Sequence, residues 1–247
     1  MQRKIVSLLL FLALLAGVTA CGTAPDTSAT PGSYYNGGVE ITLQAACNLN
    51  GNHCASAVLA QLPQARAILE QRVKHGLGAA QVVARLEGTD RIVVDLAGQY
   101  NNPDAIALLT RIGKLEFIDT GPIQLADGTA VQPGQYPVRF TGDQLDPNSI
   151  NATIDQQSGQ PVILFAFKSA EQSAFAQYTR ANIGDYLTIT LDGKVIESAV
   201  IQSEITGLAQ ISGGHMTLSS AQQTAALMRY GALPLPLTII SQYTIST

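Results

Sequence analysis

The sequence has no tryptophan, three histidines, three cysteines and few charges. Lys, Arg, Asp and Glu make up 13% of its 247 residues, about half the share of roughly 25% usual in soluble domains. So thin a charge would suit a membrane protein, yet long apolar runs are scarce as well. The one extended run, residues 5–18, has 14 residues. At about 1.5 Å per residue it reaches roughly 21 Å, short of a hydrocarbon core about 30 Å thick. A chain with no further run of that kind is not a multi-spanning channel, pump or transporter. Basic blocks are missing too. The net charge is −4, whereas nucleic-acid binders concentrate Lys and Arg, so nucleic acid is not an expected partner. Metal-ligand spacings, a G-x-S-x-G elbow, a phosphate-cradling glycine loop and a paired-carboxylate motif are all absent from the sequence. Catalysis needs a converging set of such groups, so no enzymatic activity, metal or cofactor is expected, and an extracytoplasmic hydrolase is the least favoured reading.

Arg3 and Lys4 precede the apolar run and Thr19-Ala20 closes it: the charge, core and small-residue exit of a secretory signal over residues 1–20. Loss of those two cations takes the net charge from −4 to −6. Cys21 follows the exit, and Leu15-Ala16-Gly17-Val18-Thr19-Ala20-Cys21 resembles a bacterial lipobox. That resemblance implies that the Cys21 thiol receives diacylglyceryl and that the leader is cut before it. Each buried CH₂ of an acyl chain contributes about 0.8 kcal/mol, so the expected location is outside the cytoplasm, lipid-anchored to the cell membrane. Cys47 and Cys54 remain, separated by an Asn/Gly-rich stretch that reads as a loop. In an oxidising compartment a disulfide is the leading reading. A metal or redox site using His53 is the alternative, although a zinc site normally takes four ligands and the sequence holds no second Cys/His cluster.

Residues 21–36, rich in Thr, Ser, Ala, Pro and Gly, read as a flexible stalk. Apolar alternation in residues 39–43 predicts a strand, and Pro63 opens a helix with Ile68, Leu69, Val73 and Leu77 on one face, stopped by Gly76 and Gly78. Strands at 82–86 and 91–96 flank a hairpin turn. Asn102 caps a second helix that begins at Pro103, and residues 114–118 form another strand. The order β-α-β-β-α-β is that of a ferredoxin-like sandwich. Turn signals over 120–134 open a second unit with strands near 136–140, 149–154 and 162–167. In it a helix starts at Ser169, with Gln172 completing a capping box, and carries Phe175, Tyr178 and Ile183 on its inner face. The hairpin at Asp192-Gly193 follows. A last helix, 217–230, and a strand near 237–243 return to the first unit. Strand 162–167 is apolar on both faces, with Val162, Leu164 and Ala166 on one and Ile163, Phe165 and Phe167 on the other. It is either a central strand covered on both sides or one with a face or edge open to an added strand.

Leu191-Asp192-Gly193-Lys194-Val195-Ile196, followed by Ala199-Val200-Ile201, resembles the LDG-x-VI-x-APVI stretch of the SecD family of protein-export translocase subunits. Ile205-Thr206-Gly207, Gln210-Ile211-Ser212-Gly213 and Arg229-Tyr230-Gly231-Ala232-Leu233-Pro234 are similar to that family's later signals in order. Upstream, Gly37-Gly38-Val39-Glu40, Ile68-Leu69-Glu70-Gln71-Arg72-Val73 and Asp90-Arg91-Ile92-Val93-Val94 resemble its start, its helix and its DRIVV-x-L strand. Two departures stand out: Tyr34-Tyr35-Asn36 replaces the LDLQ before the glycines, and Ala97-Gly98 replaces Pro-Gly.

The resemblance covers the family's first extracytoplasmic domain. It implies an α+β fold, with a ferredoxin-like base (residues 37–119 and 214–247) and an inserted α+β head (residues 120–213). The expected function is help in protein export, through binding of exported polypeptides or of the translocase at the membrane surface, without a proton-coupled transmembrane part of its own. A docking lipoprotein of another envelope complex is the alternative. Phe165, Phe167 and Tyr178 are the candidate client contacts. Gly121, Pro122, Gly213 and Gly214 are the candidate hinge, where a few residues absorb the backbone change.

Overall fold

The computed structural model describes residues 37–48, 54–77, 79, 81–97, 103–213 and 216–245; the leader, Cys21, the stalk, His53 and Gly214 lie outside them. Strand β1 (Gly38–Ala45) buries Val39, Ile41, Leu43 and Ala45 on one face, as the alternation requires. A disulfide joins Cys47 to Cys54, with Cα atoms 5.3 Å apart, just before the short helix α1 (Ser56–Leu59). Helix α2 (Leu62–Gly76) turns Leu62, Ala65, Leu69, Arg72, Val73 and Gly76 inward. β2 (Val82–Glu87) and β3 (Arg91–Ala97) form the expected antiparallel hairpin, and α3 (Pro103–Thr110) follows.

The inserted unit contains β4 (Leu115–Gly121), β5 (Val138–Thr141), β6 (Asn151–Ile154), β7 (Pro161–Phe165), α4 (Ser169–Ala181), β8 (Tyr186–Leu191), β9 (Lys194–Val200) and β10 (Ala209–Ile211). Helix α5 (Leu218–Tyr230) and β11 (Leu237–Ile245) complete the chain. The first sheet runs β11-β1-β3-β2, the second β5-β4-β8-β9 and the third β10-β7-β6. This is the α+β architecture of a ferredoxin-like base carrying an inserted head. Its β-α-β-β-α-β order closes differently from the sequence reading. The strand after α3 was expected as the fourth of the base, but β4 pairs with β8 and β5, and β11 takes the place beside β1. Phe117 explains the choice: it is fully buried and its ring lies 5.6 Å from Phe165 and 5.2 Å from Phe167.

Two apolar cores result. One unites β1, α2, β3 and Leu109 with Leu233, Leu235 and Leu237. The other joins β4, β7, β8 and α4 to Ala221, Ala225, Ala226, Leu227 and Met228 of α5. Helix α5 thus belongs to the head core, yet it also packs along α2 of the base. Where Gly76 faces α5, an added Cβ would lie 2.8 Å from Leu108 and 3.0 Å from Ala226, so the helices approach closely because the position carries no side chain.

Local signals behaved unevenly. Asp192 and Gly193 both have positive φ, 54° and 73°, which a tight two-residue hairpin demands. Thr217 caps α5 by accepting from Ser220 N–H. The capping box at Ser169 does not form: Lys168 is the N-cap, without a side-chain hydrogen bond, and Gln172 Nε2 donates to the Phe167 carbonyl at 3.1 Å. Helix α4 ends at Ala181, so Ile183 falls beyond its inner face and is exposed.

Candidate functional site

Four of the head's elements, β4, β5, β7 and α4, with Phe167 just after β7, bring six aromatic rings together. Phe117, Phe140, Phe165, Phe167, Phe175 and Tyr178 are linked by ring-to-ring distances of 4.4–6.2 Å, a range in which tilted and edge contacts add to area burial. Phe165 and Phe167 are each only 2% exposed. Both therefore belong to the core, on the face of this strand that also carries Ile163, while Leu164 and Ala166 on the other face are only partly buried. Tyr178 is half-buried, with Arg139 over its ring at 5.8 Å. Burial first, then the nearby Asp119 carboxylate, pushes its hydroxyl up to about 12, so it stays neutral. Arg139 holds Asp119 in turn, donating through Nε at 3.1 Å and Nη2 at 2.9 Å.

The outer side of this cluster opens into an apolar groove of about 220 Å³ between β9 and β10. Phe165, Phe175, Leu187 and Ile189 form its floor, and Val200 and Ile205 stand in its walls. Val200 is 41% exposed, and Leu208, next to β10, is 64% exposed, so apolar surface continues onto the rim. Glu197 is the acidic group in the wall. Its Oε2 accepts from the Ser212 backbone N–H at 2.8 Å, which ties the end of β10 to β9. Of the three aromatic candidates, Phe165 reaches the groove; Phe167 and Tyr178 support it from behind.

A second constellation lies where the chain passes between the two cores. Arg72 of α2 is fully buried. Its Nη1 donates to the Arg111 carbonyl at 2.7 Å, and its Nη2 donates to the carbonyls of Ile112 at 2.6 Å and Gly231 at 2.5 Å. One guanidinium thus holds both the segment entering the head and the segment leaving it. Leu233 N–H also donates to the Ile112 carbonyl at 2.7 Å. Gly113, at φ 79°, leaves the space Arg72 needs, since a Cβ there would come within 2.4 Å of Nη2. The head adds a contact of its own: Asp192, in the β8–β9 turn, accepts from Lys114 N–H at 2.8 Å and from Arg111 Nε at 3.3 Å. Burial pushes the Arg72 guanidinium down to about 10, while Asp192 counteracts it; the group remains charged at neutral pH.

The expected hinge residues do not coincide with the places where the chain passes between the cores. Gly121 closes β4 opposite Tyr186 with φ 55°, inside the head sheet, and Pro122 follows it. Gly213 sits against the Ile196 carbonyl, 3.2 Å from where its Cβ would be. The crossings between the cores are residues 111–114 and 231–232, because Leu109 and Leu233 pack in the base core while Leu115 and Met228 pack in the head core. Sequence reasoning missed Arg72. The available signal was a cation interrupting the apolar stripe of α2, three residues after Leu69 and next to Val73.

Comparison with known proteins accounts for this arrangement. The family model described as the SecDF P1 head subdomain matches residues 126–235, and that of the SecDF P1 domain, N-terminal part, matches residues 62–121. The protein translocase subunit SecD of Leptotrichia buccalis is 32% identical over 87% of this chain and 48% of its own length. That of Acetobacter pasteurianus is 36% identical over 72% of this chain and 37% of its own length. The chain therefore spans about half, or less, of these curated relatives. Among solved structures, SecDF in a super-membrane-facing form aligns with TM-score 0.66 and 29% identity over 84% of this chain and 30% of that one. A chain described as a membrane component SecDF that enhances protein export aligns with TM-score 0.63 and 30% identity, over 82% of this chain and 98% of that one. From its base sheet to its shared helix, the chain belongs to the SecD/SecDF family of protein translocase subunits, as a first periplasmic domain of that family.

Proposed function

We propose that this SecD-like domain assists protein export by holding extended segments of exported polypeptides in the groove between β9 and β10. The observation that carries this reading is the groove itself: an aromatic floor under an apolar rim, with Val200 and Leu208 left exposed. Scattered exposed apolar residues need no explanation, but a contiguous apolar cleft is a binding surface by default. An unfolded segment offers alternate apolar side chains and free main-chain groups, and both suit a slot between two strands. The head, which with β4 and α5 in its core extends past the 120–213 read from the sequence to about residues 115–230, does the holding, and the base sheet with α2 carries it. Lipid on Cys21 and a stalk of residues 21–36 would concentrate heads at the extracytoplasmic membrane surface without adding contact energy. Movement of head against base would take place at residues 111–114 and 231–232, restrained by Arg72. No helix among the described residues is long and apolar enough to cross a membrane.

The test uses Val200→Glu, which places a charge on an already exposed rim position. Binding of an unfolded exported polypeptide should weaken about tenfold or more, as expected when a charge enters an apolar contact, with an unchanged melting curve. Equal binding by the variant would remove the groove from the mechanism. Unchanged client binding with loss of association to the translocase would favour the docking reading.

A further inference from the structure

The base sheet carries a charged cluster on the face turned away from α2. Glu40 of β1 and Asp95 of β3 stand directly opposite one another in the antiparallel register. Arg85 of β2 reaches both: Nη2 donates to Glu40 Oε2 at 3.0 Å, and Nη1 donates to Asp95 Oδ2. Asp95 is 1% exposed and Glu40 4%. Their neighbours on the same face, Thr42 and Val93, are buried as well. Among the described residues, the second oxygen of Asp95, Oδ1, is buried without a hydrogen-bond partner. Like charges placed directly across a β ladder repel, and a buried carboxylate oxygen with no donor is costly. One guanidinium compensates one of the two acids, and the remaining charge has no cation of its own among the described residues.

We propose that Glu40, Arg85 and Asp95 form a one-proton site in the base sheet, with Asp95 carrying the proton and donating it toward Glu40. A proton on Asp95 turns its unpartnered oxygen into a donor, removes the like-charge repulsion and leaves the Glu40–Arg85 pair neutral. The surroundings agree. Among the described residues, the other titratable groups on this face are Tyr243 of β11, opposite Glu40, and, toward the far end of the strands, Asp90 with its Gln44 donor and the Arg91–Glu87 pair. Among the described residues, α2 and Leu109 of α3 pack against the opposite, apolar face. Burial pushes the Asp95 carboxyl up to about 6, Arg85 opposes that, and Glu40 reinforces it. Asp95 stands at the open position of the DRIVV-x-L pattern.

The sign follows from linkage. The folded base holds this proton more tightly than the unfolded chain, in which an aspartate titrates near 3.9. The stabilisation is therefore complete below the unfolded value and is lost as pH rises through about 6. Across that window the base sheet passes from a neutral pair with an acid–acid hydrogen bond to two ionised carboxylates around one arginine. The sheet thus loosens with falling external acidity.

The experiment is a carboxyl-carbon NMR titration of the full chain in detergent, with thermal melts from pH 4 to 8 for wild type, Asp95→Asn and Glu40→Gln. Asp95 should titrate well above the ordinary aspartate value. Glu40→Gln should lower its midpoint by about one unit, since removing a like charge favours ionisation. Asp95→Asn should flatten the fall in melting temperature between pH 5 and 7. An Asp95 midpoint at or below about 3.9, or an unchanged slope in Asp95→Asn, would overturn the proposal. Should Asp95→Asn fail to fold, the wild-type titration decides alone.

Discussion

Replacing Arg72 by methionine keeps an unbranched side chain of similar reach and removes every donor. The guanidinium makes three hydrogen bonds to carbonyls, at 2.7, 2.6 and 2.5 Å, and a hydrogen bond to a charged group contributes about 1.5–3 kcal/mol. The gross loss is then roughly 5–9 kcal/mol. Two effects reduce it. The Ile112 carbonyl keeps its bond from Leu233 N–H, and methionine no longer bears the several kcal/mol needed to bury a cation. A net loss of about 3–5 kcal/mol remains, the range found when a buried charged network is broken. Arg72→Lys should fall between, because an ammonium retains the charge but not the fork that spans both crossings. Urea unfolding followed by circular dichroism measures the difference, and the chain's lack of tryptophan makes that a better probe than intrinsic fluorescence. In Arg72→Met the unfolding should also become less cooperative, as head and base lose their common tie. A variant within about 1 kcal/mol of wild type, a single neutral hydrogen bond's worth, with an equally sharp transition, would refute the idea that Arg72 holds the two crossings.

Two further outcomes concern cysteines. Cys47→Ser with Cys54→Ser should cost about 2–3 kcal/mol, the chain-entropy value for so short a loop, and leave the protein folded; native protein with two freely alkylated thiols would contradict the bridge seen here. Cys21→Ser should abolish labelling by fatty acid and leave the leader uncut or cut elsewhere, and mass spectrometry of the mature N-terminus reads this directly.

What could be read from the sequence was set by the range of the interaction involved. The Asp192-Gly193 hairpin was legible because positive φ is a property of two adjacent residues. The stripe of α2 was legible because Leu69 and Val73 repeat with the helical period. Alternation likewise marked residues 114–118 as a strand, but it carries no information on the partner. The pairing of β4 with β8 is decided by Phe117 meeting Phe165 and Phe167, about fifty residues away in the chain. The groove is not legible for the same reason: its floor comes from β7, α4 and β8 and its walls from β9, β10 and the segment between them, so no short stretch announces it. Phe165 could be named as a candidate only because its strand was apolar on both faces. Ser169 misled because a capping motif competes with the neighbouring backbone: Lys168 already has extended geometry, with ψ 153°, and takes the cap position itself.

The close contact of α2 with α5 bears on how this molecule would carry load. A pull on a segment held in the groove enters the head sheets, and α5 is the head element that lies along the base. Part of the force therefore passes as shear across two helices rather than as tension on two peptide links. Where Gly76 meets Ala226 and Leu108 no side chain of α2 stands between them, so little at that point opposes sliding. Resistance to sliding falls to the few features that protrude: the Arg72 fork at the crossings and the stacked rings of His75 and Tyr230, 5.4 Å apart. A sliding movement of the head along α2 would have to disturb both the Arg72 hydrogen bonds and this ring stack, so load and loosening would meet at the same few side chains.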